Sequence, residues 1–220
     1  MSTTDRRQRH RASLRREILD AASQLFVEDG YQRVTMRRIA AQIDYSPTTL
    51  YLYFKDKNEL LQAVCEETFS QLAGKLERLK KTANTPLGYL REGLRTYVDF
   101  GLAHPAPYTV TFMRPGPNLN EGAFGHSIGS RAFDALRQGV RACVDNGDIQ
   151  APNIDVTAQA LWASVHGLTS LFITMQGFPF VPRAVLIDHT IDTLIAGLRT
   201  PSAVQRAQPA PRQVRADFLD

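Results

Sequence analysis

The chain has 220 residues, 43% hydrophobic and 22% charged, with a formal net charge of +4 and two cysteines. That leaves room for one sizeable domain, or for a small domain joined to a larger one, and it excludes a fibrous or wholly disordered chain. No apolar run approaches the ~18 residues of a membrane span, the Arg-rich start has no apolar segment of a secretory signal behind it, and Cys65 and Cys143 form no metal spacing or disulfide framework, so a cytoplasmic protein without metal or cofactor is expected.

The positive charge is concentrated at one end. Arg6, Arg7, Arg9, Arg11, Arg15 and Arg16 face one acid, Asp5, over the first sixteen residues. Residues 1–13 read as a basic flexible arm, and such an arm suggests a polyanion partner more than general solubility. Almost every later segment reads as helix. From Leu14, apolar residues recur at Ile18, Ala21, Ala22, Leu25 and Phe26 until a stop at Gly30. Thr35 can cap a second, short helix with Met36, Ile39, Ala40 and Ile43 on its apolar side. A third begins at Ser46 with Pro47 at its first position, where a missing N–H costs nothing. Asp56 and Glu59 then open a long fourth helix through Leu60, Leu61, Val64, Leu72, Leu76 and Leu79.

Thr85-Pro86 opens a fifth helix that closes at His104-Pro105, and a short sixth is expected from Tyr108 to Met113. Residues 114–126 hold prolines, glycines and asparagines and read as a loop. A seventh helix is expected from Ile128 to Asn146 with Gly147 as its stop, an eighth from Asp155 to Gln176, and a ninth from Pro182 to Arg199. Residues 200–220, with three prolines and no apolar periodicity, read as disordered. No strand pattern or repeat is present, so the expected fold is all-α.

Three short helices with a tight connection between the second and third describe a helix-turn-helix unit, in which the last helix enters the DNA major groove. Ile39, Ala40, Ile43, Leu50 and Phe54 fall where the two helices bury a shared seam. Pro47, Thr48, Thr49, Leu52 and Tyr53 are left pointing elsewhere. A helix of about two turns is too short to stand alone, so packing must hold it and its outer face is free for another task.

The segment TMRRIAAQIDYSPTTLYLYFKDKNELL, residues 35–61, resembles the DNA-binding segment of the tetracycline-repressor (TetR) family of bacterial transcription regulators. The residues that carry the resemblance are Thr35, Ile39, Ala40, Ser46, Leu50, Tyr51, Phe54, Lys57 and Leu60. Two positions depart from the family pattern, with Asp44 at the turn and Thr48 in the recognition helix where glycine is common. The resemblance implies double-stranded operator DNA as partner. It implies phosphate contacts from Thr35, Tyr51 and Lys57 and a recognition helix capped by Ser46. Thr48 and Thr49 would then reach base edges behind Pro47, and Tyr53 a phosphate or sugar. Arg37 and Arg38 would add backbone contacts, and the arginines before Leu14 would enter the minor groove.

Residues 14–60 would then be the DNA-binding domain and 61–199 a helical effector-binding and dimerisation domain. WASVHG, residues 162–167, resembles the Trp-x-x-x-His-Gly (WHG) signature of one TetR C-terminal subgroup. Trp162 and His166 share a helix face, and His166 reads either as a hydrogen-bonded core residue or as a ligand contact. Gly167 is expected to let a neighbouring backbone approach. Tyr89, Tyr97, Phe100, Tyr108, Phe112, Met113, Phe172 and Met175 could line an apolar pocket or make a plain core. The eighth and ninth helices are the expected homodimer interface. The whole suggests a repressor released by a small hydrophobic effector. No Gly-rich phosphate loop, HExxH or CxxC supports an enzyme. The alternatives are a helical protein-interaction bundle or an effector-independent DNA-binding protein.

Overall fold

The computed structural model describes residues 3–113 and 128–199; the loop expected at 114–126 and the tail expected at 200–220 lie outside the described residues. The fold is all-α, as expected. In chain order the helices are α1 (Thr3–Glu28), α2 (Met36–Gln42), α3 (Pro47–Tyr51), α4 (Lys57–Thr82), α5 (Pro86–Ala103), α6 (Pro105–Tyr108), α7 (Ile128–Asp145), α8 (Ile154–Thr174) and α9 (Arg183–Ala196). A π-helical turn, Thr109–Met113, continues α6. Among the described residues, the one β-type pairing is an isolated antiparallel bridge between Ile149 and Arg199.

Local chemistry sets most of the helix starts. Five caps have an oxygen-bearing side chain accepting the backbone N–H three residues on: Thr35 from Arg38, Ser46 from Thr49, Asp56 from Glu59, Thr85 from Gly88 and Asn153 from Val156. Each satisfies a donor that the helix leaves unpaired and contributes about 1 kcal/mol. The turns require left-handed backbone at three positions. Gly30 has φ 78°, Gly147 has φ 71°, and Asp44, between α2 and α3, has φ 57°. Asp44 thus adopts the geometry that glycine commonly supplies there, which a short polar side chain tolerates.

Three expectations need correction. The basic residues before Leu14 are helical from Thr3 onward and belong to α1, not to a flexible arm. Arginine and glutamine are good helix formers and no proline or glycine interrupts the run before Gly30. The sixth helix starts earlier than Tyr108, because Pro105 occupies the first helical position after His104. Gly167 has open space around its Cα hydrogen, whereas a Cβ at Gly101 would lie 2.5 Å from Thr169 Cγ2 and 2.9 Å from the Tyr108 ring. Gly101 is therefore a position in the body of α5 that needs a missing side chain.

Two hydrophobic cores result. The first gathers Ile18, Ala22, Leu25, Ile39, Leu50, Phe54 and Leu60 from α1 to α4 and also takes Val110 from the π-helical turn. The second gathers Leu90, Tyr97, Val98, Val140, Leu161, Val165 and Ile191 from α5, α7, α8 and α9. Helix α4 serves both, with Leu60, Leu61 and Val64 in the first and Leu72 and Leu76 in the second.

Candidate nucleic-acid interface and ligand cavity

Helix α3 is five residues long, and packing holds it. Leu50 is fully buried and Phe54, just beyond its end, is 3% exposed. The opposite face is left bare: Thr48 is exposed, Tyr51 is 54% exposed and Leu52 73%. Ser46 Oγ accepts the Thr49 N–H at 3.2 Å and lies 3.0 Å from Thr49 Oγ1. Thr49 is thus half-buried with its hydroxyl engaged, and Thr48 is the freer of the two threonines. Thr35 Oγ1 accepts the Arg38 N–H at 3.2 Å, and Arg37 is exposed. Arg38 is instead tied to Asp29 through Nε at 2.6 Å. Tyr53 is half-buried against the first core, with the Arg11 guanidinium 5.8 Å from its ring centre. Tyr45 packs on the same core.

Lys57 has a role that the sequence does not announce. Its ammonium donates to the carbonyls of Tyr31 at 2.6 Å, Val34 at 2.9 Å and Gln32 at 3.4 Å, and lies 4.2 Å from the Tyr31 ring centre. All three of its N–H donors are used, so it staples the α1–α2 connection to the start of α4. Desolvation lowers its pKa below the ordinary lysine value.

An apolar cavity of about 440 Å³ opens between α4, α5, α7 and α8. Of the residues expected to line it, Tyr89, Tyr97, Phe112 and Trp162 do. The others lie elsewhere. Phe100 is buried core whose ring meets that of His104. Phe172 is buried against Phe180, Met113 is half-buried off the cavity, and Met175 is 48% exposed just past the end of α8. The rest of the wall comes from residues the sequence reading did not assign, including Phe69, Leu72 and Leu76 of α4 and Phe133 and Leu136 of α7. The available signal was the i, i+3, i+7 spacing of 69, 72 and 76 on one face of the fourth helix.

Tyr108 and His166 form a polar layer behind the cavity wall. Trp162 Nε1 donates to the Tyr97 hydroxyl at 3.1 Å, which lies 3.0 Å from the Tyr108 hydroxyl. Tyr108 in turn lies 2.6 Å from His166 Nδ1, and His166 Nε2 is 3.5 Å from Ser170 Oγ. One consistent direction for the protons is Trp162 to Tyr97 to Tyr108 to His166, with the imidazole neutral and accepting at Nδ1. Burial favours the same state, lowering the His166 pKa and pushing that of Tyr108 up to about 12. Of the two readings of His166, the structure supports the hydrogen-bonded core residue.

The π-helical turn connects the two regions. Val110 is buried in the first core, while Phe112, two residues on, lines the cavity with its ring 5.1 Å from Phe69 and 5.9 Å from Tyr97. Between them the buried Thr111 hydroxyl lies beside the Cys65 thiol, a weak partner, and makes no hydrogen bond of good geometry among the described residues.

Other groups are bland by comparison. Cys65 and Cys143 are buried free thiols whose pKa values burial pushes up to about 11 and about 12. Among the described residues no three His, Cys, Asp or Glu side chains group to hold a metal, and no helix is long and apolar enough to cross a membrane.

Comparison with known proteins accounts for both regions. Residues 18–64 match the model of bacterial regulatory proteins of the tetR family, and residues 90–197 match a tetracyclin repressor-like C-terminal domain. Nucleoid occlusion factor SlmA of Actinobacillus pleuropneumoniae is 33% identical over 78 residues, 36% of this chain and 39% of the relative. The transcriptional repressor KstR of Mycobacterium tuberculosis is 37% identical over 72 residues, 33% of each chain. The chain thus spans about two-fifths or less of the length of these relatives. Among solved structures, the transcriptional regulator FadR of Bacillus subtilis in complex with stearoyl-CoA superposes with a TM-score of 0.71, at 20% identity over 83% of this chain and 98% of that one. The ketosteroid transcriptional regulator KstR2 of Mycobacterium tuberculosis gives 0.68, at 16% identity over 84% and 95%. With a family model matched in each region and the helical architecture shared, the chain belongs to the tetR family of bacterial regulatory proteins.

Proposed function

We propose that the protein is a homodimeric transcriptional repressor that binds operator DNA in the cytoplasm and is released by a small hydrophobic effector. The observation that carries this reading is the division of α3 into a buried side, Leu50, and a bare side, Thr48 and Tyr51, continued by Leu52 at its C-terminal end. Thr48 faces base edges, helped by Thr49. Tyr51, Thr35, Ser46 and Arg37 contact phosphate, and the arginines of α1 add positive charge. Lys57 acts through the α1–α2 connection that it holds, and Tyr53 through its packing. A helical interaction bundle would leave that bare row without a purpose.

The dimer forms through α8, α9 and their connection, where Val156, Leu171, Met175, Phe178, Val181 and Val185 are between 48% and 64% exposed. Two recognition helices must then sit about one DNA turn, roughly 34 Å, apart. An effector in the cavity shifts that spacing through two elements that touch both cores, α4 and the Val110–Phe112 turn, with a coupling of typically ~1–3 kcal/mol. The FadR structure is a complex with stearoyl-CoA, whose long acyl chain supports a ligand with a hydrocarbon part in this fold.

Binding to duplexes from the protein's own genomic neighbourhood, ranked for the parent and for Thr48→Ala, tests the reading. The expected result is a changed ranking of sequences. Unchanged ranking overturns the base-reading role, and no binding at low salt overturns the function.

A further inference from the structure

If the cavity is the effector site, the chemistry of its wall selects what enters it. Among the described residues that line it, the one charged side chain is Asp134. That carboxylate already accepts from Arg137 Nη1 at 3.2 Å, and Arg137 is also committed to Asp155. No lysine, arginine or histidine stands among the described lining residues. A ligand carboxylate would find no counter-charge on the described lining, and low-polarity surroundings penalise such a charge strongly. A ligand ammonium would have to displace Arg137 from Asp134.

The polar groups on the wall differ in availability. The Tyr97 hydroxyl is already engaged, since it accepts the Trp162 N–H and commits its one proton to Tyr108 or His166. The Tyr89 hydroxyl forms no hydrogen bond among the described residues, and burial raises its pKa. The Tyr89 ring is held in place by close packing, because a Cβ on Gly139 would lie 3.1 Å from its Cε1. A hydroxyl on an apolar wall with no protein partner among the described residues is a specificity element, because it rewards one hydrogen-bonding group and no charge.

We propose that the cavity takes an uncharged, mostly hydrocarbon molecule bearing one hydroxyl or carbonyl group, and that the Tyr89 hydroxyl recognises that group. A volume of about 440 Å³ suits a small effector of this class.

The single tryptophan, Trp162, stands on the cavity wall, so its emission reports occupancy. Titrations of the full chain at neutral pH with 1-decanol, decanoate, decylammonium and hexylbenzene separate charge from apolar bulk. The expected result is that 1-decanol binds at least about tenfold more tightly than either ion. Tyr89→Phe weakens 1-decanol several-fold and leaves hexylbenzene unchanged, which also shows that the variant is folded. Decanoate or decylammonium binding as tightly as 1-decanol overturns the ligand class. A Tyr89→Phe variant that keeps the parent's affinity for 1-decanol overturns the recognition role. If no probe changes Trp162 emission or the unfolding temperature, the reading of the cavity as an effector site fails instead.

Discussion

The two cores differ in how completely they are filled. Around α2 and α3, every helix start is capped, Ile18, Ile39, Leu50 and Leu60 have no exposed surface, and Lys57 ties the one long connection to three carbonyls. Around α5, α7 and α8, the same chain leaves a cavity of about 440 Å³. The π-helical turn, with a buried threonine hydroxyl that lacks a good partner, runs between the two cores against α1, α4 and α6. A groove of about 580 Å³ borders the first core as well, at Leu19 and Val64, but its wall is largely polar, with Arg16, Asp20, Glu67 and Arg78 on it. Packed interiors leave few voids larger than a water molecule, so the apolar cavity is where the second core forgoes stability. The difference fits a division of labour in which a stiff reader is attached to a yielding sensor.

Substitutions at matched aromatic positions should expose the contrast most strongly. Phe54→Ala should cost about 3–5 kcal/mol in denaturant unfolding, with DNA binding lost as α3 detaches. Phe112→Ala, at a wall that already borders empty space, should cost less than half as much; equal losses would remove the distinction between the cores. Gly101→Ala tests whether the second core is tight where it is not open. A methyl 2.5 Å from Thr169 should cost about 1–3 kcal/mol, and a neutral result would mean that α5 shifts freely.

Lys57→Met should lose about 1–3 kcal/mol through the unpaired carbonyls of residues 31, 32 and 34. The salt dependence of DNA affinity should stay as in the parent, whereas a phosphate contact would lower its slope by about 1. Ser46→Ala should cost about 1 kcal/mol in the same unfolding experiment. The smallest effect belongs to His166. Its folded pKa lies below the ordinary 6.5, so its contribution is present above pH 6.5 and is lost as pH falls from there through the folded value. His166→Gln should flatten that part of the stability profile measured by thermal unfolding.

Legibility in the sequence followed the range of the interactions. Thr35, Ser46, Asp56 and Thr85 act on backbone three residues away, so the starts of α2 to α5 were readable from composition and spacing. The left-handed turn at Asp44 was readable through the family resemblance, which commonly has glycine at that position. The Lys57 staple was not, because its acceptors lie 23 to 26 residues back along the chain. The cavity was half readable. Tyr97 and Phe100 both lie on α5 with helical spacing, and only the placement of α7 and α8 decides that one faces the opening and the other does not. Met175 falls outside because α8 ends at Thr174.

The central claim is that the bare face of α3 and the arginines of α1 serve DNA. The direct measurement is the affinity of the protein for a duplex from its own neighbourhood, by fluorescence anisotropy, across ~50 to ~200 mM salt. A dimer touching several phosphates in each half should lose orders of magnitude over that range, and log affinity should fall linearly with log salt. An affinity that stays flat across the range, or no binding at its low end, would contradict the account.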